Sequence, residues 1–409
     1  MTVDVVLAVA SEGEDAIAAA IAAHPDLRLA RRCVDLAEAL AAASAGGAHA
    51  AVVSPQPHLD RVTAADFAQM GVRVVGVWGS ESEQGMLAAL GIPSVAASEP
   101  GDVIDALLVA PQPEPARETT AGDAEGAIVA VWGPTGAPGR TTIAVNLAAS
   151  LARTSDVLLL DLDTYGASVA QALALSDESP GVAAIARAAA LGTLDTEFVL
   201  RQSLRVGPRL RVMTGLTRAA RWRELAPAAL DAAWPVVRAA TSITVLDVGF
   251  GLDFDEAAAL DSRAPQRDGA ARAALAVADV IVAVGSSEPH ALQRLITDLD
   301  LLNQVTPGAR TSTLVVVNRV RSSVAGRAPE RQVADVLARF AGVSRVWTVP
   351  WDGRVADEAT LRGATWAECA PRAASTRAIA SVAAAVLERL PELADTPTTS
   401  RTPAPAVTE

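Results

Sequence analysis

The chain has 409 residues, half of them hydrophobic and only 3% aromatic, enough for two or three domains with aliphatic cores. A net charge of −13 argues against a protein that coats DNA or an anionic membrane by bulk electrostatics. Two distant cysteines, Cys33 and Cys369, suggest no disulfide framework, and His24, His49, His58 and His290 show no metal-ligand spacing.

Met1-Thr2-Val3-Asp4 leads straight into a strand-like run, so no signal peptide is expected. Strands are predicted at 3–9, 50–53, 72–77 and 94–96, and helices at 14–23, 36–43, 82–90 and 103–108. Continuous apolar strands alternating with helices imply a parallel, doubly wound sheet, and about 110 residues with this alternation fit a flavodoxin-like domain. Residues 111–126, rich in Pro, Glu, Thr and Gly, read as a flexible linker spanning roughly 20 Å. Seven further strands are predicted at 127–132, 157–160, 210–213, 243–246, 280–284, 313–317 and 346–349. They imply a second doubly wound domain over 127–390 with its ligand site at the carboxyl ends of the strands. The fold class is therefore α/β, with two doubly wound parallel-sheet domains. The segment 376–390 reads as an alanine-rich helix without a basic amphipathic face, and 391–409 as a disordered tail. No apolar run reaches about 18 residues, so a cytoplasmic protein without an integral membrane segment is expected.

One loop carries the chemistry. Trp132-Gly133-Pro134-Thr135-Gly136-Ala137-Pro138-Gly139-Arg140-Thr141-Thr142 lies between a predicted strand and a predicted helix. That is the context of a P-loop, whose backbone N–H groups surround a phosphate at a helix N-terminus. The usual G-x-x-x-x-G-K-[ST] pattern is altered, with Pro134 and Arg140 at its first glycine and its lysine. Polar residues also close the other strands: Asp161 and Asp163, Asp247, Asn318, and Pro350 with Asp352. A lone Asp there is more often a helix cap, but four such sites in one sheet point to a binding crevice.

On these motifs the chain resembles the MinD/ParA class of P-loop ATPases with a deviant Walker A loop, over roughly 127–390. Thr135 to Thr142 aligns with K-G-G-x-G-K-[ST]-[ST], and Asp161-Leu162-Asp163 with the D-x-D that follows. Val245-Leu246-Asp247-Val248-Gly249 aligns with Walker B and switch II, and Val317-Asn318-Arg319-Val320 with an adenine-contacting segment. Within that class the loop Gly133 to Thr142, the segment Asp163-Thr164-Tyr165-Gly166 and the two-domain layout resemble actinobacterial TadZ/CpaE-like proteins, which are associated with Flp (tight-adherence) pilus assembly. Residues 1–110 resemble a response-regulator receiver in layout only. Ser54 stands where the phospho-accepting Asp belongs, Ala97 near the place of the Lys, and only Glu12 remains of the acidic pair. A docking or dimerisation domain follows, because aspartyl phosphorylation lacks its nucleophile.

The resemblance implies ATP and Mg²⁺ as cofactors. Backbone groups of Gly136, Ala137, Gly139, Arg140, Thr141 and Thr142 would hold phosphate, with Thr141 and Asp247 on the metal. Asp163 would orient water, with Asp161 beside it and Arg140 supplying positive charge, while Asn318 would hydrogen-bond the adenine edge and the backbone from Pro350 to Asp352 would flank the base. Pro138 removes one N–H donor. Thr135 removes the signature lysine that reaches a dimer partner's phosphates. Losing one such contact costs about 1.5–3 kcal/mol, so binding is less affected than hydrolysis. The implied function is a dimerising, ATP-binding localisation and assembly factor with weak hydrolysis, working with the pilus secretion ATPase and assembly proteins. Its place would be cytoplasmic, polar or peripheral to the inner membrane face through partners. A nucleotide-independent pseudo-ATPase scaffold, and a partitioning or septum-site switch, remain open at this point. The irregular arginines from Arg201 to Arg223 read as a solvated or partner-binding face, so nucleic acid is not an expected partner. Trp222, Trp347, Trp351 and Trp366 read as core or interface packing. Restoring Thr135→Lys with Arg140→Lys is expected to raise ATP turnover in a phosphate-release assay. Unchanged turnover would place the defect at Pro138 or around Asp163.

Overall fold

The computed structural model describes residues 2–10, 13–56, 59–108, 126–136, 139–176, 180–252, 266–306 and 313–390. Most of the expected linker, the tail 391–409, Glu12, His58, Ala137 and Pro138 therefore lie outside the described residues.

The chain builds two sheets. In the first, β1 (Val3–Ala8), β2 (Leu27–Arg32), β3 (Ala50–Val53), β4 (Arg73–Trp78) and β5 (Ser94–Ala96) run parallel in the order β2-β1-β3-β4-β5. Ile17, Ile21, Val103 and Leu107 of the helices Glu14–Ala23 and Pro100–Leu108 cover one face. Leu36, Phe67 and Leu87 of the helices Leu36–Ser44, Arg61–Gln69 and Glu81–Ala89 cover the other. Cover on both faces explains why β3 is Ala-Ala-Val-Val with no polar alternation.

Two of these elements have no counterpart among the expected ones. Strand β2, Leu-Arg-Leu-Ala-Arg-Arg, lies at the sheet edge and has no apolar run to betray it. Its arginines are paired: Arg28 with Asp4 at 2.5 Å, Arg31 with Glu38 at 2.9 Å, and Arg32 with Glu14 at 2.9 Å. A charged edge discourages pairing with another sheet. The helix Arg61–Gln69 starts at Asp60, whose side chain accepts from the Thr63 N–H at 2.8 Å. At the receiver-like position, the buried Ser54 accepts from the Ala10 N–H at 2.8 Å and ties the end of β3 to that of β1.

The second sheet contains β6 (Ala127–Trp132), β7 (Val157–Leu162), β8 (Leu204–Arg205), β9 (Leu210–Met213), β10 (Ile243–Val248), β11 (Val280–Ser286), β12 (Thr313–Val320) and β13 (Val346–Pro350). Their order is β13-β12-β11-β6-β10-β7-β9-β8, all parallel except β8, a two-residue edge antiparallel to β9. All seven expected strands are present. Side-chain alternation divides them between two cores. Leu158, Leu160, Leu246 and Val248 face one core, while Val157, Leu159, Ile243 and Val245 face the other, under the helix Arg140–Leu151. Asp161 and Asp247 continue the second set, so both point toward the face that carries this helix.

That helix is fixed at its middle. Asn146 donates to the Thr142 carbonyl at 2.8 Å and accepts from the Trp366 N–H at 2.7 Å. The helix Ala374–Leu387 packs on the same helix and on β13. Trp347 and Trp366 are buried as expected, whereas Trp351 is 47% exposed beneath the Arg319 and Arg321 guanidinium groups and is no core residue. Asn146→Ala leaves a buried N–H unpaired and is expected to cost about 1–3 kcal/mol of stability in denaturant unfolding.

Candidate functional site

Strand β6 lies between β10 and β11, and β10 lies between β6 and β7. The loops after β6, β7 and β10 therefore emerge side by side. In the first, Gly136 and Gly139 have φ of +69° and +96°, left-handed values that a side chain would strain. Gly139 is the residue before the helix Arg140–Leu151, so the N–H groups of Arg140, Thr141 and Thr142 belong to its unsatisfied first turn. Gly139 also makes room for Asn318, whose side-chain Nδ2 lies where a Cβ would stand. The Asn318 Oδ1 accepts from the N–H of Arg319, itself left-handed at φ +55°. Asn318 is thus set against the loop's last glycine. Pro350 closes β13, three strands from β6.

Three acids converge beside this loop. Asp247 on β10 is in register with Asp161 on β7 and with Val131 on β6. Asp161 is fully engaged: Oδ1 accepts from the Asp163 N–H at 3.1 Å, and Oδ2 from the Ser168 and Val169 N–H groups at 3.0 Å each. These bonds shape the loop after β7 and start the short helix Val169–Ala172. Burial still pushes the Asp161 carboxyl up to about 6, against the backbone donors, with the Asp163 charge adding to the rise. Asp163 Oδ1 accepts from the Tyr165 and Gly166 N–H groups at 2.8 and 3.2 Å, and its Oδ2 faces Arg140.

Asp247 is 1% exposed, and its Oδ2 has no hydrogen-bond partner among the described residues. Burial raises its carboxyl well above the ordinary range, the Asp161 charge adds to that, and the Thr141 hydroxyl and the Arg140 charge oppose it. Thr141 Oγ1 in turn accepts from the Ser168 hydroxyl at 3.0 Å. A buried carboxylate oxygen left open beside a threonine hydroxyl is a donor set for a hard divalent cation. No cluster of three His, Cys, Asp or Glu residues capable of holding a metal occurs among the described residues. A cation here would therefore depend on water or ligand oxygens for the rest of its shell, which is how Mg²⁺ is usually held.

Arg140 does not project freely. It donates to the Gly133 carbonyl at 3.0 Å, pairs with Asp163 at 3.4 Å and lies 5.6 Å from the Phe250 ring centre. Phe250 stacks on Tyr165 at 4.4 Å, and its carbonyl accepts from Trp132 Nε1 at 3.2 Å. The Tyr165 hydroxyl donates to Asp268 at 2.7 Å, with Arg267 over its ring at 3.9 Å. Sequence motifs flagged the acids but missed this aromatic contact between the loops after β7 and β10. Ser168 was also missed, and it belongs to no motif that could have signalled it.

The profile of the CobQ/CobB/MinD/ParA nucleotide-binding domain matches residues 129–363. The match spans more than half of the chain, which therefore belongs to that family of nucleotide-binding domains. Its fold is similar to a ParA family ATPase from Chlorobium tepidum, at 17% identity and TM-score 0.53 over 63% of this chain and 98% of that one. It is also similar to the septum site-determining protein MinD of Pyrococcus horikoshii, complexed with Mg-ADP, at 18% identity and TM-score 0.50 over 66% and 100%. Apo McdA of Cyanthece matches at 13% identity and TM-score 0.50 over 64% and 99%. No curated protein sequence matches the chain. Among the described residues no helix is long and apolar enough to cross a membrane.

The raised carboxyls have a consequence for stability. Both acids have an ordinary value of 3.8, the unfolded-chain reference, and higher values in the fold. Between those values the native state holds protons that the unfolded chain has released. Their stabilising contribution is thus complete below pH 3.8 and is lost as pH rises through the folded values. Nucleotide-free Asp247→Asn is therefore expected to be more stable than the parent in denaturant unfolding at pH 8, with the gap narrowing toward pH 4. A less stable variant at pH 8 would mean that the carboxylate already has a favourable partner.

Proposed function

We propose that the chain binds ATP with Mg²⁺ at the loop 133–142 and works as a dimerising localisation and assembly factor of the TadZ/CpaE type. The observation that carries the nucleotide reading is the unpartnered Asp247 Oδ2 beside Thr141, at the foot of a helix N-terminus with two left-handed glycines. In this reading the backbone of Gly136, Ala137, Gly139, Arg140, Thr141 and Thr142 cradles the phosphates. Thr141 and Asp247 hold Mg²⁺, which would neutralise phosphate charge when bound. Asp163 orients water, and Asp161 holds the loop that presents Asp163 rather than acting on substrate. Asn318 sets the loop's last glycine, and Pro350 flanks the base.

The two-unit layout supports the pilus-type reading, with residues 1–110 as an address or dimerisation unit and 127–390 as the nucleotide unit. Partners would then be a second copy of the chain and the Flp pilus secretion ATPase and assembly proteins. The place would be the cytoplasm, at a pole or the inner membrane face through those partners. The arginine run favours no DNA footprint: Arg201 pairs with Glu197 at 2.6 Å, Arg221 with Glu224 at 2.5 Å, and Arg211 is spent on Leu200 and Ser203.

The Arg140–Asp163 pair favours a second reading, a nucleotide-independent pseudo-ATPase scaffold. The cation and the water-orienting acid neutralise each other until something separates them. Titration with a fluorescent ATP analogue decides between the readings. Saturable binding in Mg²⁺ that weakens about tenfold or more in Asp247→Ala supports the first. No binding at millimolar nucleotide leaves the scaffold, and salt-sensitive retention on nonspecific DNA would return partitioning as the function.

A further inference from the structure

Two guanidinium groups hydrogen-bond the described part of the phosphate loop, and they differ in what else holds them. Arg140 is occupied by the Gly133 carbonyl, the Asp163 carboxylate and the Phe250 ring. Arg294 reaches the loop from outside it, on the helix Pro289–Val305 that follows β11, the strand next to β6. Its Nη1 donates to the Thr135 carbonyl at 3.2 Å. It forms no ion pair with any described carboxylate, and its side chain is exposed.

The placement is built into the fold. Gly136 has φ +69°, and a Cβ there would stand 2.5 Å from Arg294 Nη1, so the glycine leaves the space the guanidinium fills. The helix is pinned next to the arginine. Leu295 is fully buried, and a Cβ on Gly285 of β11 would stand 2.5 Å from its Cδ2. Leu292 and Leu299 are buried on the same helix face. The root of the arginine is thus fixed while its head stays in solvent above Thr135 and Gly136.

A neutral carbonyl is a weak partner for a guanidinium, whose planar fork matches the paired oxygens of a phosphate. Gly139 and the helix start at Arg140 present the N–H groups that would surround an inner phosphate. Thr135 and Gly136 lie on the opposite limb of the loop, on its solvent side. We propose that Arg294 binds the terminal phosphate of a nucleoside triphosphate, moving from the Thr135 carbonyl to phosphate oxygens, and so makes the site prefer triphosphate to diphosphate. The proposal rests on the nucleotide reading of this loop. It places the deciding cation in the same chain, on a helix outside the motif, at a loop whose own first position is Thr135.

The test compares dissociation constants of Mg-ADP and a Mg-bound non-hydrolysable ATP analogue for the full chain, Arg294→Ala and Arg294→Lys. Arg294→Ala is expected to weaken the triphosphate about tenfold or more and the diphosphate by less than about threefold. Arg294→Lys keeps the charge without the fork and is expected to fall between. Equal weakening of both nucleotides, or no weakening of either, overturns the assignment of Arg294. If the unsubstituted chain binds neither nucleotide, the nucleotide reading itself fails, and this inference with it. Because Arg294 is exposed, its variants are expected to keep the parent's unfolding midpoint, so a change in affinity reports on the ligand.

Discussion

Two carboxylates on neighbouring strands, Asp161 and Asp247, sit in register under the helix Arg140–Leu151 with almost no solvent around them. Burial opposes the ionisation of both, and a neighbouring charge adds to it, that of Asp163 at Asp161 and that of Asp161 at Asp247. The fold answers this in two ways. Asp161 receives three backbone N–H groups and becomes the post around which the loop 163–169 turns. Asp247 receives no such set and keeps one buried oxygen without a hydrogen-bond partner among the described residues. A protein needing only stability would have little reason to leave that oxygen bare, since an unsatisfied buried acceptor costs about 1–3 kcal/mol or more. The cost makes sense at a site completed by a cation and its ligand.

The loops after β7 and β10 are joined over this pair of acids. Tyr165 stacks on Phe250, Arg140 leans on the same ring, and Arg140 pairs with Asp163. Arg140 therefore differs from a freely rotating lysine in more than length. Its fork bridges two loops and a strand end, and a phosphate must compete with a carboxylate for it. Arg294 faces no such competition. Arg140 holds the end of β6 to the loop after β7, while Arg294 has a single carbonyl partner at the loop and, on the proposal made above, would be the cation left for phosphate.

The first sheet is a five-stranded parallel sheet whose strand ends are held by packing and backbone bonds. Ser54 is buried and accepts from the Ala10 N–H, and Ala97 lies against Gly13. Its edge strand is sealed with ion pairs that are mostly exposed and individually worth little in stability. Their use is to discourage further pairing along that edge.

The sequence by itself determined the fold class and the set of strand-end residues. Buried parallel strands must be continuous apolar runs, and a chain crossing from strand to helix exposes its polar residues at the carboxyl ends. Val157 to Asp163 and Ile243 to Asp247 are legible for that reason. Strand β2 and the helix Arg61–Gln69 were not, because an edge strand and a partly exposed helix need little apolar periodicity. The family resemblance gave Asp163 the water and set Asp161 beside it, but the bonding of the two was not legible. Both lie at the end of the same strand, and only the folded path of residues 163–169 brings three N–H groups to Asp161, while Arg140 meets Asp163. Arg294 was equally silent. Its meaning comes from β11 lying beside β6, which aims the following helix at Gly136, and strand order is a property of the packed sheet rather than of any local stretch of chain.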